Sequence, residues 1–213
     1  MEEGPRWASR GAFKLLRAFE LFPFDVADRV CLDIGASTGG FTDVLLDKGA
    51  RAIYAVDVGY GQLHWRLASD PRVTVMDRTN ARDLTPERLQ ETPERAVCDA
   101  SFISLKLILP VLDLLLPGSG EAVVLVKPQF EAGRERVGRG GVVRDPRVHA
   151  DVLSEVLAFI SERTQLHASG LSWSPILGPE GNVEFLCHLT RAISEPPDPE
   201  AVAFAAHSEL SAH

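Results

Sequence analysis

Apolar and polar positions follow two rhythms along this chain, and their alternation predicts the architecture. Apolar side chains recur at roughly helical spacing through Phe13, Leu16 and Leu21, with Ser9 placed to cap that helix and Pro23 to end it. Continuous apolar runs follow at 30–34 and 52–58, separated by a glycine-rich turn and a helical stretch at 40–48, which together read as a βαβ unit. Strand-like runs at 73–76, 96–99 and 122–127, with a helical segment at 105–116, continue the alternation. A mostly parallel sheet covered on both faces buries such runs most economically. A helix over 148–162 precedes two strands, 165–173 and 182–189, joined by a turn at 174–181, so an antiparallel hairpin is expected at one edge. The expected fold is α/β: a Rossmann-like, doubly wound, mostly parallel sheet with an antiparallel C-terminal hairpin, in three layers α/β/α. Residues 1–193 are expected to form one domain. From Ser194 onward two prolines, then alanines and histidines, show no core pattern, and 194–213 is expected to be a flexible tail.

Composition narrows the picture only slightly. A length of 213 residues suits one domain, and 45% apolar with 24% charged residues is ordinary for a soluble globular protein. The longest apolar stretches are too short or too interrupted to span a bilayer, and the N-terminus, with Glu2, Glu3 and Pro5, does not resemble a secretory signal, so a cytoplasmic protein is expected. Cys31, Cys98 and Cys187 lie far apart inside apolar runs, which suits buried small hydrophobes better than metal ligands or disulfide partners. A net charge of −8 argues against an extended basic surface for nucleic acid. The glycine- and arginine-rich loop at 128–144 is expected to be mobile or to face a substrate.

The first turn carries the earliest chemical signal. Asp33-Ile34-Gly35-Ala36-Ser37-Thr38-Gly39-Gly40 ends the first strand and opens a helix, at the crevice where open α/β sheets bind ligands. Its glycine spacing is not the G-x-G-x-x-G that seats a dinucleotide pyrophosphate. Asp33 would repel a pyrophosphate, yet suits the amino group of a methionine moiety, so a sulfonium-bearing ligand such as S-adenosylmethionine is favoured. Asp57, 24 residues further on at the end of the second strand, is placed to accept hydrogen bonds from ribose hydroxyls, the alternative being a solvated strand end.

Two more strand ends point to the same crevice. Asp99 and Lys127 close the strands at 96–99 and 122–127. A lysine at the end of a buried strand is costly without a partner or a task, because desolvation disfavours the ammonium; such a lysine can serve as a base or sit in a structural ion pair. Lys14 and Glu184, taken alone, look like an exposed helix charge and an ordinary strand residue.

Longer motifs tie these positions together. Ser9-Arg10-Gly11-Ala12-Phe13-Lys14-Leu15, the 33–42 turn, Asp57-Val58-Gly59-Tyr60-Gly61-Gln62-Leu63, Ser101-Phe102-Ile103-Ser104-Leu105, Lys127-Pro128-Gln129-Phe130-Glu131 and Gly178-Pro179-Glu180-Gly181-Asn182-Val183-Glu184 resemble the TlyA (hemolysin A) family over roughly residues 7–191. The resemblance implies a ribosomal RNA ribose 2'-O-methyltransferase with an FtsJ-like catalytic domain and S-adenosylmethionine as cofactor. It implies a Lys-Asp-Lys-Glu tetrad at Lys14, Asp99, Lys127 and Glu184, in which Lys127 takes or polarises the 2'-hydroxyl proton, Asp99 tunes it, and Lys14 and Glu184 orient the groups, with no metal required. Asp33, Gly35, Ser37, Gly39 and Asp57 match the implied cofactor pocket. Asn80 is placed to touch the adenine, although a turn-forming asparagine is as ordinary.

Members of that family usually begin with an S4-type RNA-binding domain, for which nothing before Trp7 provides a counterpart. Either a module is missing or the chain is a fragment, and weak RNA affinity is expected, with Arg134, Arg136, Arg139, Arg144 and Arg147 as the basic cluster near the site. The implied partner is ribosomal RNA or a ribosomal subunit. Rival readings are a non-catalytic cofactor- or RNA-binding protein, a small-molecule methyltransferase, and a pore-forming haemolysin, the last opposed by the lack of any segment suited to membrane insertion.

Overall fold

The computed structural model describes residues 6–210; the N-terminal stretch with Glu2, Glu3 and Pro5 and the last residues of the expected tail lie outside them. Seven strands, β1 (Val30–Ile34), β2 (Ala52–Val56), β3 (Val73–Met76), β4 (Arg95–Cys98), β5 (Glu121–Val126), β6 (His167–Trp173) and β7 (Phe185–Thr190), form one sheet. Their order is β3-β2-β1-β4-β5-β7-β6. β1 to β5 run parallel, while β7 pairs antiparallel with both β5 and β6. The strand order reverses between β1 and β4, which is where a doubly wound sheet opens a ligand crevice.

Alternation along β1 explains the layering. Val30, Leu32 and Ile34 pack into the core on one face, with Leu109 and Leu112 of α4 (Leu109–Leu115), Val152 and Val156 of α6 (Pro146–Arg163), and Ala203 and Ala206 of α7 (Pro199–Leu210). Cys31 packs on the other face with Leu15 of α1 (Ala12–Leu21) and Val44 and Leu45 of α2 (Gly40–Asp47). The three cysteines are free and buried, and burial pushes each thiol up to about 12.

Several boundaries differ from the sequence reading for local reasons. Ser9 does not cap α1; Gly11 holds that position without a side-chain bond. The 105–116 helix divides into a 3-10 turn, Leu105–Leu107, and α4, with Pro110 in the first turn of the latter. The four-residue helices α3 (Trp65–Ala68) and α5 (Pro128–Glu131) lie in stretches without helical periodicity. β7 begins at Phe185, because Asn182 is taken out of the ladder: its side chain accepts from Val143 N at 3.1 Å and donates to Gly141 O at 3.0 Å.

The 194–213 stretch differs most. Instead of a loose tail it carries α7, docked on α6 through Ala203 and Ala206, both fully buried. Small side chains give little hydrophobic periodicity yet let two helices approach closely, so the pattern was invisible. A histidine pair fastens the contact: His207 Nε2 lies 2.8 Å from His149 Nδ1, and His149 Nε2 lies 3.1 Å from Val143 O. A carbonyl only accepts, so His149 donates to Val143 and accepts from His207. The 128–144 loop is likewise better held than expected, with Ala132, Val142 and Val143 buried.

Candidate active site

Three strand ends and one helix start converge at the carboxyl edge of the sheet. Lys14 sits in the first turn of α1, Asp99 follows β4, Lys127 follows β5, and Glu184 immediately precedes β7. Lys127 Nζ lies 2.7 Å from Asp99 Oδ1, and Lys14 Nζ lies 3.2 Å from Asp99 Oδ2 and 2.7 Å from Glu184 Oε2. The four residues therefore form one chain, Lys127–Asp99–Lys14–Glu184, of alternating sign and no formal net charge. Glu184 is fully buried, and Lys127 and Lys14 are 5% and 6% exposed. Buried charges persist only when paired in this way, and removing one partner strands the others.

Local packing sets the spacing. Gly178 passes directly over Glu184; a Cβ there would fall 2.6 Å from the Glu184 Cδ, so glycine lets the 174–181 segment close over the buried carboxylate. Gln129 of α5 donates to Glu184 Oε1 at a long 3.5 Å. Burial alone would push the Lys14 ammonium down, but the Asp99 and Glu184 carboxylates outweigh it and hold it above its ordinary value. Lys127 also donates to Ser101 Oγ at 2.8 Å and to the Asp99 backbone oxygen at 3.1 Å.

The turn after β1 borders this cluster. Gly35 has φ +81, and a Cβ would lie 2.9 Å from the backbone of Ala100, so glycine lets the turn lie against the chain that follows β4. Gly39, with φ +100, precedes α2 and gives room to Leu63 and Leu67. Ser37 N donates to Asp57 Oδ2 at 2.9 Å and Gly59 N to Asp57 Oδ1 at 2.7 Å, so Asp57 ties the two turns together while its remaining lone pairs stay open. Asn80 Oδ1 accepts from Arg82 N at 3.1 Å, the ordinary role of a capping asparagine, yet the residue also lines the cleft.

Asp33 lies beneath the turn, not in the wall of the cleft. It is on the α1–α2 face of β1, fully buried, with Oδ2 accepting from Thr42 Oγ1 at 2.7 Å and Oδ1 buried without a partner. Burial pushes its carboxyl up to about 7, against the lowering effect of Thr42. It lines neither lobe of the cleft.

The cleft has two lobes that share Gly35, Ser37, Asp99 and Ser101. One, of about 460 Å³, is bounded by Lys14, Lys127, Arg10 and the 176–179 segment. The other, of about 340 Å³, is bounded by Asp57, Asn80, Phe102 and Ile103. The sequence motif that holds Ser101 and Phe102 assigned neither of them a role. Phe102 has φ +62, is 90% exposed at the rim, and its ring lies 5.2 Å from that of Phe130. A bulky residue held at positive φ and turned to solvent is the signal that marks it.

Residues 7–191 match the FtsJ-like methyltransferase family, which covers nearly all of the described chain. The chain belongs to that family. Within it the chain falls in the TlyA (hemolysin A) branch. It is 48% identical over 207 residues to the 16S/23S rRNA (cytidine-2'-O)-methyltransferase TlyA of Mycobacterium tuberculosis, covering 96% of this chain and 76% of the relative. It is 41% identical to hemolysin A of Brachyspira hyodysenteriae, covering 86% of this chain and 76% of that one. YqxC of Bacillus subtilis is 56% identical, and there the match covers 86% of this chain and 66% of the relative, so the chain spans about two thirds to three quarters of these proteins. A solved hemolysin-named structure from Streptococcus thermophilus superposes with a TM-score of 0.93 at 46% identity, over all of this chain and 78% of the other. The fibrillarin/Nop5p structure, at 16% identity and TM-score 0.61, shares the fold alone.

The methyltransferase also has a cleft that fits S-adenosylmethionine. The second lobe offers a carboxylate at the end of β2 with open acceptor positions, and the turn at Gly35 and Ser37 joins that lobe to the Lys127 cluster. No helix among the described residues is long and apolar enough to cross a membrane.

Proposed function

We propose that this chain methylates a ribose 2'-hydroxyl of ribosomal RNA, with Lys127 as the group that takes the hydroxyl proton. The observation that carries the reading is the 2.7 Å contact of Lys127 with Asp99 inside a buried, charge-alternating cluster that opens on both lobes of the cleft. S-adenosylmethionine, when bound, supplies an electrophilic methyl group on a sulfonium.

The remaining work falls to this chain's side chains. Asp57, Ser37 and Asn80 would hold the nucleoside half of the cofactor. Asp33, beneath the turn, has a buried Oδ1 without a partner that would accept from the amino group of the methionine moiety. Asp99 fixes the direction of Lys127, and Lys14 with Glu184 fixes Asp99. Transfer is an in-line displacement, so orientation and hydroxyl activation would supply most of the rate. Phe102 and Phe130 at the rim suit stacking on an unpaired base. The names of the relatives favour a cytidine as acceptor, and a ribosomal subunit as the partner would put the work in the cytoplasm.

The test is methyl transfer from labelled S-adenosylmethionine to purified ribosomal subunits, with nucleoside analysis of the product. Label in a 2'-O-methyl nucleoside supports the proposal. Label confined to a base, or none at all from folded protein, would overturn it.

A further inference from the structure

We infer that Ser101 is a positioning residue for Lys127, holding its third N–H and giving its charge a route to solvent; this rests on the reading of Lys127 as the proton acceptor. A lysine ammonium has three donors and no acceptor. In this structure all three are engaged: Asp99 Oδ1 at 2.7 Å, Ser101 Oγ at 2.8 Å and the Asp99 backbone oxygen at 3.1 Å. A ribose hydroxyl can approach the nitrogen only by taking the place of one of them.

The three partners are not equally able to yield. The backbone oxygen is fixed where the chain leaves β4, and the carboxylate is held from its far side by Lys14. Ser101 is exposed and borders both lobes of the cleft. Among the described residues its hydroxyl donates to nothing, so a rotation about one side-chain bond frees the position. The same hydroxyl completes a proton path. To act as a base, Lys127 must first be an amine; its ammonium passes one proton to Ser101 Oγ while the Ser101 O–H passes its own to water, so the hydroxyl is regenerated and one proton leaves. The neighbouring residue, Phe102, sits at positive φ.

Other groups surround Lys127: Asp99 after β4, Cys98 at the end of β4, Glu131 of α5 on the same small cavity, and, beyond Asp99, Lys14 on α1 with Glu184 before β7 and the buried Asp33. None of them changes when Ser101 is replaced. Ser101→Ala removes one acceptor from a buried ammonium and therefore favours the amine. A lost hydrogen bond to a charged group corresponds to a displacement of about one pH unit.

The experiment compares the parent with Ser101→Ala and Ser101→Thr in two ways. The first follows the titration of the Lys127 amine in cofactor-free protein by NMR of labelled lysine. The second is the pH profile of kcat on ribosomal subunits. We expect Ser101→Ala to move both the amine titration and the acid limb of kcat down by about one pH unit, to lower plateau kcat roughly tenfold through lost orientation, and to leave KM within about twofold. Ser101→Thr, which keeps the hydroxyl, is expected to restore the parent profile. An unmoved titration in Ser101→Ala, or a Thr variant that behaves like Ala, overturns the inference. A parent that transfers no methyl group to ribose overturns the underlying reading instead, and the NMR titration still decides the role of Ser101.

Discussion

Burial pushes the Asp33 carboxyl up to about 7, and this single group leaves a mark on stability. Between about pH 4 and 7 the unfolded chain has released a proton that the folded chain retains, so stability from this group falls as pH rises through that window and levels off above it. Asp33→Asn has no such proton. Urea unfolding at pH 5 and pH 8 should show the variant gaining on the parent with rising pH, by about 2–3 kcal/mol at most. Parallel shifts of the two proteins would contradict the assignment. Lys127→Ala, by contrast, should lower kcat by about 10²–10⁴ while the cofactor Kd from calorimetry stays within a few-fold, because the lost group acts on the hydroxyl rather than on the donor. A cofactor Kd weakened as much as kcat would place Lys127 in the wrong role.

The elements show what periodicity can and cannot reveal. Runs such as 96–99 and 122–127 were legible because strands buried on both faces must be continuously apolar, and their ends led to Asp99 and Lys127. Lys14 and Glu184 carried no local signal; only the resemblance of longer motifs linked them, since an ion pair between α1 and the start of β7 leaves no trace in spacing. Gly35 was legible as a turn residue for an incomplete reason: the pressure on it comes from the Ala100 backbone. α7 escaped notice because alanines do its packing. Its histidine latch gives an element-scale prediction. Burial, reinforced by His207, pushes His149 down to about 4, so the unfolded chain binds more protons between about pH 4 and 6.5, and the latch weakens as pH falls through that range. His149→Phe should cost about 1–3 kcal/mol at pH 7, by stranding the Val143 carbonyl, and should flatten the acid side of the stability curve. A variant that keeps the parent's acid slope would show that another group governs it.

At the scale of the whole molecule, an acidic protein is proposed to bind a polyanion, and the arginine loop is proposed to carry much of that contact. Arg136 is already committed, 2.9 Å from Glu155. Arg134, Arg139, Arg144 and Arg147 are exposed and remain for phosphates. Binding to ribosomal subunits should weaken steeply with salt, and Arg134→Glu with Arg139→Glu should lower affinity by about tenfold or more near 0.1 M salt without altering cofactor Kd. Salt-independent binding would locate the contact elsewhere. The claim on which the account depends is that Lys14, Asp99, Lys127 and Glu184 act as a unit, and non-additivity measures it most directly. Methyl-transfer rates of Lys127→Ala, Asp99→Asn and the double variant form a cycle. The double variant should be hardly slower than Lys127→Ala alone; losses that multiply would mean the two residues work independently.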